Sequence, residues 1–267
     1  MIPNILSIAG SDPSGGAGIQ ADLKAISANG GYGMSVITAL TAQNTRGVQA
    51  VRLCDTDMIT AQIEALRADI RIDAVKIGML GDAAIIDCVT RGLDGIDGPV
   101  VLDPVMVAKG GDRLLQAEAV EALRGLLPRA DVITPNLPEA ADLLGCAEAR
   151  TLDEMAAQAR ALRDLGPRAV LLKGGHLAGQ ACPDLLVTDH GLQRFDATRI
   201  ATRNTHGTGC TLSSALATAL GAGLALPEAV QRAKSYLTAA LAAADALTVG
   251  SGFGPVHHFH AMKRTTP

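Results

Sequence analysis

Asn204-Thr-His-Gly-Thr-Gly-Cys-Thr211, continuing as LSSALATALGAGLAL to Pro227, contains no Asp, Glu, Lys or Arg. Length alone would let this stretch cross a bilayer, which takes about 20 apolar residues. Its first half is too polar and too rich in glycine for that. The second half reads instead as a helix buried on all sides inside a large α/β core. The turn ahead of the helix has its own chemistry. Successive N–H groups at a helix start, made approachable by Gly207 and Gly209, form an anion-binding nest, and Thr208 lies between them. No Lys follows the last glycine, so this is not a Walker A loop. Cys210 stands where the same field lowers a thiol pKa, which suits it to act as base or as anion contact. As a small buried residue it would be inert.

The rest of the chain supplies the layers that such a helix needs. Apolar runs rich in β-branched residues recur at 5–9, 34–40, 74–78, 100–103, 131–134 and 169–173, and predict buried strands. Helical patterns lie between them at 17–28, 57–68, 82–91, 114–126 and 152–165, and two more, 210–221 and 227–247, finish the chain. This alternation predicts an α/β fold, a mainly parallel central sheet with helices on both faces. Residues 184–202 break the rhythm with two short extended runs about Asp189, His190 and Gly191, a hairpin that extends one sheet edge. There is no low-complexity linker or repeat, so 1–267 is read as a single domain.

Several strands end in polar residues: Gly10-Ser-Asp12, Asp103-Pro104, Thr134-Pro-Asn136 and Lys173-Gly-Gly175. In open α/β sheets ligands bind at the carboxyl edge, so these groups converge on one cleft. In Gly10-Ser-Asp-Pro-Ser-Gly-Gly-Ala-Gly18, the match of Gly16 and Gly18 to a dinucleotide fingerprint fails, because Gly16 sits well past the strand end. The stretch is better read as backbone lying close against a small ligand. Asp103, Asn136 and Glu139 offer hard oxygen ligands suited to Mg²⁺. Lys173 and Lys234 are the cations available beside phosphate, although Lys234 also fits the exposed face of the last helix. Nest, acids and lysines together indicate phosphoryl transfer, which depends mostly on positioning and charge stabilisation.

Composition narrows the partners. With 27 acidic and 23 basic side chains among 267 residues the formal net charge is -4, so no long-range field draws the chain to nucleic acid or anionic lipid. Only 2% of residues are aromatic, too few for a base-stacking platform. The five cysteines are widely spaced with no C-x-x-C pair, read as reduced thiols of a cytoplasmic protein. No secretion signal is visible at the start of the chain.

The ordered set Ser7-IAGSDPSGGAGIQADLK, Val36-ITALTAQNT, Val75-KIGML, Leu102-DPVMVAKGG, Thr134-PNLPEA, Leu172-KGGH and Asn204-THGTGCTLSSA resembles the hydroxymethylpyrimidine/phosphomethylpyrimidine kinases of thiamine biosynthesis, a ribokinase-like family. The resemblance covers nearly the whole chain. It implies ATP-dependent phosphorylation of an aminopyrimidine alcohol and then of its monophosphate. It places Asp22 and Gln43 on the pyrimidine, with Gly10 close by and Met79, Val105 and Val107 as apolar walls. By the same resemblance Asp103 and Glu139 organise Mg²⁺, Lys173, Lys234, Thr134 and Asn136 serve ATP, and Gly207 to Cys210 form the anion hole. A Gln amide suits its part: it donates to a ring nitrogen while accepting from the adjacent exocyclic amine. Relatives elsewhere in the superfamily carry Asp at the position of Cys210 as base, and thiol in place of carboxylate leaves the base open. The resemblance also suggests a homodimer.

Three other readings compete. A pyridoxal or pyridoxine kinase shares the fold and a heteroaromatic alcohol substrate, and Gln43 with Asp22 favours the aminopyrimidine over it. A non-catalytic vitamin-binding protein would have no need of Asp103, Glu139, Lys173 and the intact THGTGC loop. An NAD-dependent oxidoreductase rests on the failed fingerprint alone. His206 contacts phosphate from within the nest or organises its loop, while His257 and His258 read as structural, and Gly110-Gly111 as a flap over ATP.

Overall fold

The computed structural model describes residues 1–106, 114–115 and 117–262. In chain order its elements are β1 (Asn4–Ser11), α1 (Gly18–Ala28), β2 (Tyr32–Asn44), β3 (Gly47–Leu53), α2 (Thr56–Arg67), β4 (Ala74–Ile77), α3 (Ala83–Gly92), β5 (Val100–Leu102), α4 (Val120–Leu126), β6 (Val132–Ile133), α5 (Leu137–Leu144), α6 (Leu152–Arg163), β7 (Val170–Lys173), β8 (Asp184–Thr188), β9 (Gly191–Phe195), α7 (Thr208–Gly221) and α8 (Leu226–Ala242). Among the described residues the strands form one sheet in the order β3-β2-β1-β4-β5-β6-β7-β8-β9. From β2 to β7 every pairing is parallel, and β3, β8 and β9 join antiparallel at the two edges.

Side-chain alternation explains why the sheet is covered twice. Leu6, Ile8, Val75, Ile77, Val100, Leu102, Val170 and Leu172 pack with α2 to α6 in one core. Their neighbours Ile5, Ala74, Val101, Val132 and Leu171 pack on the opposite face with Ile26 of α1 and with α7 and α8. Helix α7 is buried continuously from Thr211 to Ala219, as expected of a helix with no charged face. Among the described residues no helix is long and apolar enough to cross a membrane.

The expected strands and the β8–β9 edge hairpin are all present, with four differences. Strand β2 runs on to Asn44 beyond the apolar core of its run, which carries Gln43 past the end of the β1 pairing to sit opposite Val48 of β3. Strand β3 lacks a clean alternation, being mostly exposed, and was not expected. Helix α5 was also unexpected. The pattern at 114–126 becomes regular α-helix only at Val120, after a 3-10 turn over Ala117–Ala119.

The chain leaves β1 toward β2 on one side and reaches β4 on the other. The carboxyl ends of β1 and β4 therefore flank a point where the winding reverses, and a crevice opens there.

Candidate active site

That crevice is a cavity of about 630 Å³ lined by the loops after β1, β4, β5, β6 and β7 and by the start of α7. Asp103, just past β5, is its anchor. Asp103 Oδ1 accepts from Thr134 Oγ1 at 2.9 Å and from Lys173 Nζ at 2.8 Å. Its Oδ2 lies over the nest, since a Cβ on Gly209 would stand 3.0 Å from it. Burial acts to lower the Lys173 pKa, but Asp103 and Glu139 outweigh it and hold the ammonium above its usual range.

Asn136 and Glu139 belong to the start of α5, where they form a capping box. Asn136 Oδ1 accepts from the Glu139 N–H at 2.9 Å and Glu139 Oε2 accepts from the Asn136 N–H at 2.8 Å. Both still line the cavity. Burial pushes the Glu139 carboxyl up to about 7; Lys173 works against this and Asp103 adds to it. A buried carboxyl beside a second carboxylate is a setting that a cation would relieve. Among the described residues no three His, Cys, Asp or Glu side chains converge. The donor set therefore fits Mg²⁺ held by one or two carboxylates, with nucleotide phosphates and waters completing its shell.

The nest depends on close backbone packing. Gly207 has φ of +77°, and a Cβ there would fall 1.8 Å from the Gly16 carbonyl oxygen, so only glycine fits. The two glycine-rich loops thus lie directly against each other. The carboxyl-terminal segment braces them: His206 N–H donates to Gly254 O at 3.0 Å, and His258 Nε2 lies 3.1 Å from Thr211 Oγ1. Burial pushes His258 down to about 4, which leaves it neutral and structural.

Gly10, Gln43, Met79 and Val105 line the same cavity, as do Lys173, Lys234 and Gly207 through Cys210. Val107 and Gly110-Gly111 lie outside the described residues. Lys234 is not on an exposed helix face. It is buried, paired with Asp184, and donates to Cys182 O at 2.9 Å.

Three expectations need correction. Asp22 does not reach the cavity: it is wholly buried, and its oxygens accept from Lys76 Nζ at 2.9 and 2.8 Å, Ser7 Oγ at 2.6 Å and Ser214 Oγ at 2.8 Å. A carboxylate so fully engaged has little capacity left for a ligand. Thr134, also wholly buried, does not line the cavity, and acts on it only by steering Asp103. The Cys210 thiol is pushed up to about 11, not down: desolvation dominates over the Lys76 ammonium and the Gly18 N–H that favour the thiolate, and Asp22 and Asp103 oppose them.

The structure adds pairings that the sequence did not show. Asp12 lies 2.7 Å from His206 Nε2 through its Oδ2, and Lys76 faces Asp22. Asp12 carried a signal, an acid followed by small residues in a glycine-rich loop, since such acids accept local N–H groups. Lys76 carried one as well, a lone lysine inside an apolar strand.

A parallel sheet whose carboxyl edge brings a glycine-rich helix start, two carboxylates and two buried lysines into one crevice is the architecture of a ribokinase-like α/β kinase. Solved structures with that fold overlay it closely. Bacillus subtilis pyridoxal kinase, in an ADP complex, has 38% identity and a TM-score of 0.90, covering 98% of this chain and 99% of its own. Phosphomethylpyrimidine kinase from Clostridium difficile has 45% identity and a TM-score of 0.78, over 88% and 98%. The chain belongs to the phosphomethylpyrimidine kinase family, whose model matches residues 12–257. It is 57% identical to the hydroxymethylpyrimidine/phosphomethylpyrimidine kinase of Escherichia coli over 260 residues, 97% of this chain and 98% of the relative.

Proposed function

We propose that this chain transfers the γ-phosphoryl group of ATP to 4-amino-5-hydroxymethyl-2-methylpyrimidine and then to the resulting monophosphate, in thiamine biosynthesis. The observation that carries the reading is that Gln43 and the Gly207–Cys210 nest line one cavity. A heterocycle read at one end therefore presents its alcohol to an anion hole at the other. The whole of 1–267 acts as one kinase unit, in the cytoplasm and as a homodimer; the free cysteines fit the compartment, and the family resemblance suggests the dimer.

In this mechanism Gln43 reads the ring while Gly10 lets backbone approach it and Met79 and Val105 form apolar walls. The N–H groups of Gly207, Thr208, Gly209 and Cys210 face the migrating phosphoryl. Lys173, kept charged by Asp103, neutralises negative charge as it develops, and Lys234 and Asn136 lie along the nucleotide. Asp103 and Glu139 would hold Mg²⁺, which would supply positive charge against the nucleotide phosphates. Cys210 stays a neutral thiol and contributes its backbone N–H. In a loose phosphoryl transition state the alcohol proton leaves late, so no strong base is required. The second phosphorylation follows if the nest accepts the phosphate of the intermediate while the ring stays on Gln43.

Incubation with Mg-ATP and, in parallel, the aminopyrimidine alcohol, its monophosphate, pyridoxine and pyridoxal tests the reading. ADP release with both pyrimidines is expected. Phosphorylation of pyridoxal alone would favour the second reading, a pyridoxal kinase, which the similarity to the Bacillus subtilis enzyme supports.

A further inference from the structure

Gln43 ends in a carboxamide whose two tips have the same shape and opposite chemistry, so its partners decide which tip lies where. Gln43 Nε2 lies 3.4 Å from His206 Nε2, and Gln43 Oε1 lies 3.3 Å from Thr41 Oγ1. Each contact can be tested for a proton. His206 Nε2 is 2.7 Å from Asp12 Oδ2, an oxygen that also accepts the Ala17 N–H at 2.9 Å. Burial acts to raise the Asp12 carboxyl, and the hydrogen bonds from His206 and Ser14 overcome it and hold Asp12 below the usual carboxylate range. An ionised carboxylate has no proton to give, so the hydrogen of that short contact sits on His206 Nε2. That nitrogen then has no lone pair to offer Gln43. At the other tip, the single hydrogen of Thr41 Oγ1 goes to the Ser11 carbonyl at 2.9 Å, which can only accept. Thr41 Oγ1 therefore faces Gln43 with its lone pairs.

With nitrogen toward His206, both contacts are mismatched: N–H meets N–H at one tip and lone pair meets lone pair at the other. A half-turn of the carboxamide removes both mismatches: its NH2 donates to Thr41, and its oxygen turns toward the single His206 Nε2 hydrogen, which Asp12 accepts in the main and the oxygen shares. We propose that the Asp12–His206 pair fixes Gln43 with its oxygen toward His206 and its NH2 toward Thr41, and thereby sets which way round the heterocycle sits.

The consequence follows from ring chemistry, and it rests on the proposed reading that Gln43 faces the substrate. His206 adjoins Gly207, so the His206 tip is the nest end of the amide. The carboxamide oxygen there accepts from the exocyclic amine, and the NH2 at the far tip donates to the ring nitrogen. In a 4-amino-5-hydroxymethylpyrimidine the amine and the alcohol stand on adjacent carbons. An amine at the nest end carries the alcohol to the anion hole; the opposite order turns it away. Asp12 and His206 are thus positioning residues, acting through Gln43 without touching the reacting atoms.

The test compares binding of the aminopyrimidine alcohol with its analogue bearing hydrogen in place of the amine, by calorimetry. Wild type is expected to prefer the amine by about tenfold or more. His206→Phe, which removes the donor that pins the oxygen, is expected to cut that preference to about threefold or less while KM for ATP holds; His206→Gln, whose amide can donate from the same place, restores it. A role in loop structure alone would weaken both ligands equally and leave the preference unchanged, which overturns the proposal, as does a wild type with no preference. If wild type binds neither pyrimidine, it is the functional reading that fails. A measurement independent of variants is the ¹⁵N ring spectrum of the wild-type histidines: His206 is expected as the Nε2-protonated form, and the neutral Nδ1-protonated tautomer overturns the assignment.

Discussion

Two lysine–aspartate pairs in this molecule have the same 2.8 Å separation and opposite circumstances. Lys76 and Asp22 join β4 to α1 and are both fully buried, and Ser7 of β1 and Ser214 of α7 complete the shell. Lys173 and Asp103, at the ends of β7 and β5, open onto the cavity, where the lysine side chain keeps 15% exposure. The difference lies in which side of the strand ends each pair faces. Lys76 points between the sheet and α1 and α7, so its charge is spent on holding that layer together beneath the nest. Lys173 is the last residue of β7 and faces the cavity, so its charge remains available to a phosphoryl group.

Separating the two pairs by substitution should give different losses. Lys76→Met leaves Asp22 charged and buried, and breaking such a pair costs about 3–5 kcal/mol, or about 6–20 °C in Tm for a chain of this size. Thermal unfolding measures it, and adding Asp22→Asn should return more than half, because a neutral amide still serves Ser7 and Ser214. Lys173→Met leaves Asp103 charged but beside the open cavity, so it should lower Tm less than Lys76→Met does, and it should reduce kcat by about 10²–10³, the usual cost of removing one fixed donor of transition-state charge. If the two variants lose stability alike, the distinction between an architectural and a functional pair collapses.

The same contrast explains what could be read from the sequence. The strands were legible because doubly covered strands are short continuous apolar runs, and α7 because it lacks any charged face. Asp103, Lys173 and the nest were legible as polar residues at strand ends, where the topology delivers side chains to one crevice. Asp22 misled because it sits in a family motif beside a glycine-rich loop, whereas its role is decided by Lys76, 54 residues away, which no local pattern reveals. Helix α5 does not stand out although Asn136-Leu-Pro-Glu139 has capping-box spacing, because two such polar residues equally suit ligands; they are caps that also face the cavity. The Asp12–His206 contact spans 194 residues and was likewise invisible along the chain.

Glu139 extends the contrast to pH. Its pKa of about 7 in the fold exceeds the ordinary 4.5 of a free glutamate, so the folded chain keeps a proton that the unfolded chain has released. That contribution is complete below the ordinary value and is lost as pH rises through 7. In the presence of chelator, Tm should therefore fall between about pH 4.5 and 7 and level off above that, by about 2–4 °C for each kcal/mol involved. Glu139→Gln should flatten this dependence. A profile equally steep in the variant would assign the proton elsewhere in the Lys173–Asp103–Glu139 group.

Cys210 should give the smallest effect, and the reason is electrostatic. A helix start favours a thiolate, but here desolvation and two buried carboxylates outweigh it and raise the thiol to about 11. Near neutral pH only about one thiol in 10⁴ is then ionised, too few for an efficient base, since general bases work best with a pKa near the operating pH. Cys210→Ala keeps the backbone N–H in the nest and should lower kcat less than tenfold. A loss of about 10²–10⁴, the range contributed by a positioned base, would restore the thiol as proton acceptor and give it the part that Asp plays in relatives elsewhere in the superfamily. Alkylation gives a second measure of the same quantity: half-maximal reactivity of Cys210 is expected above pH 10, whereas a midpoint near pH 7 would mean that the helix field prevails over burial.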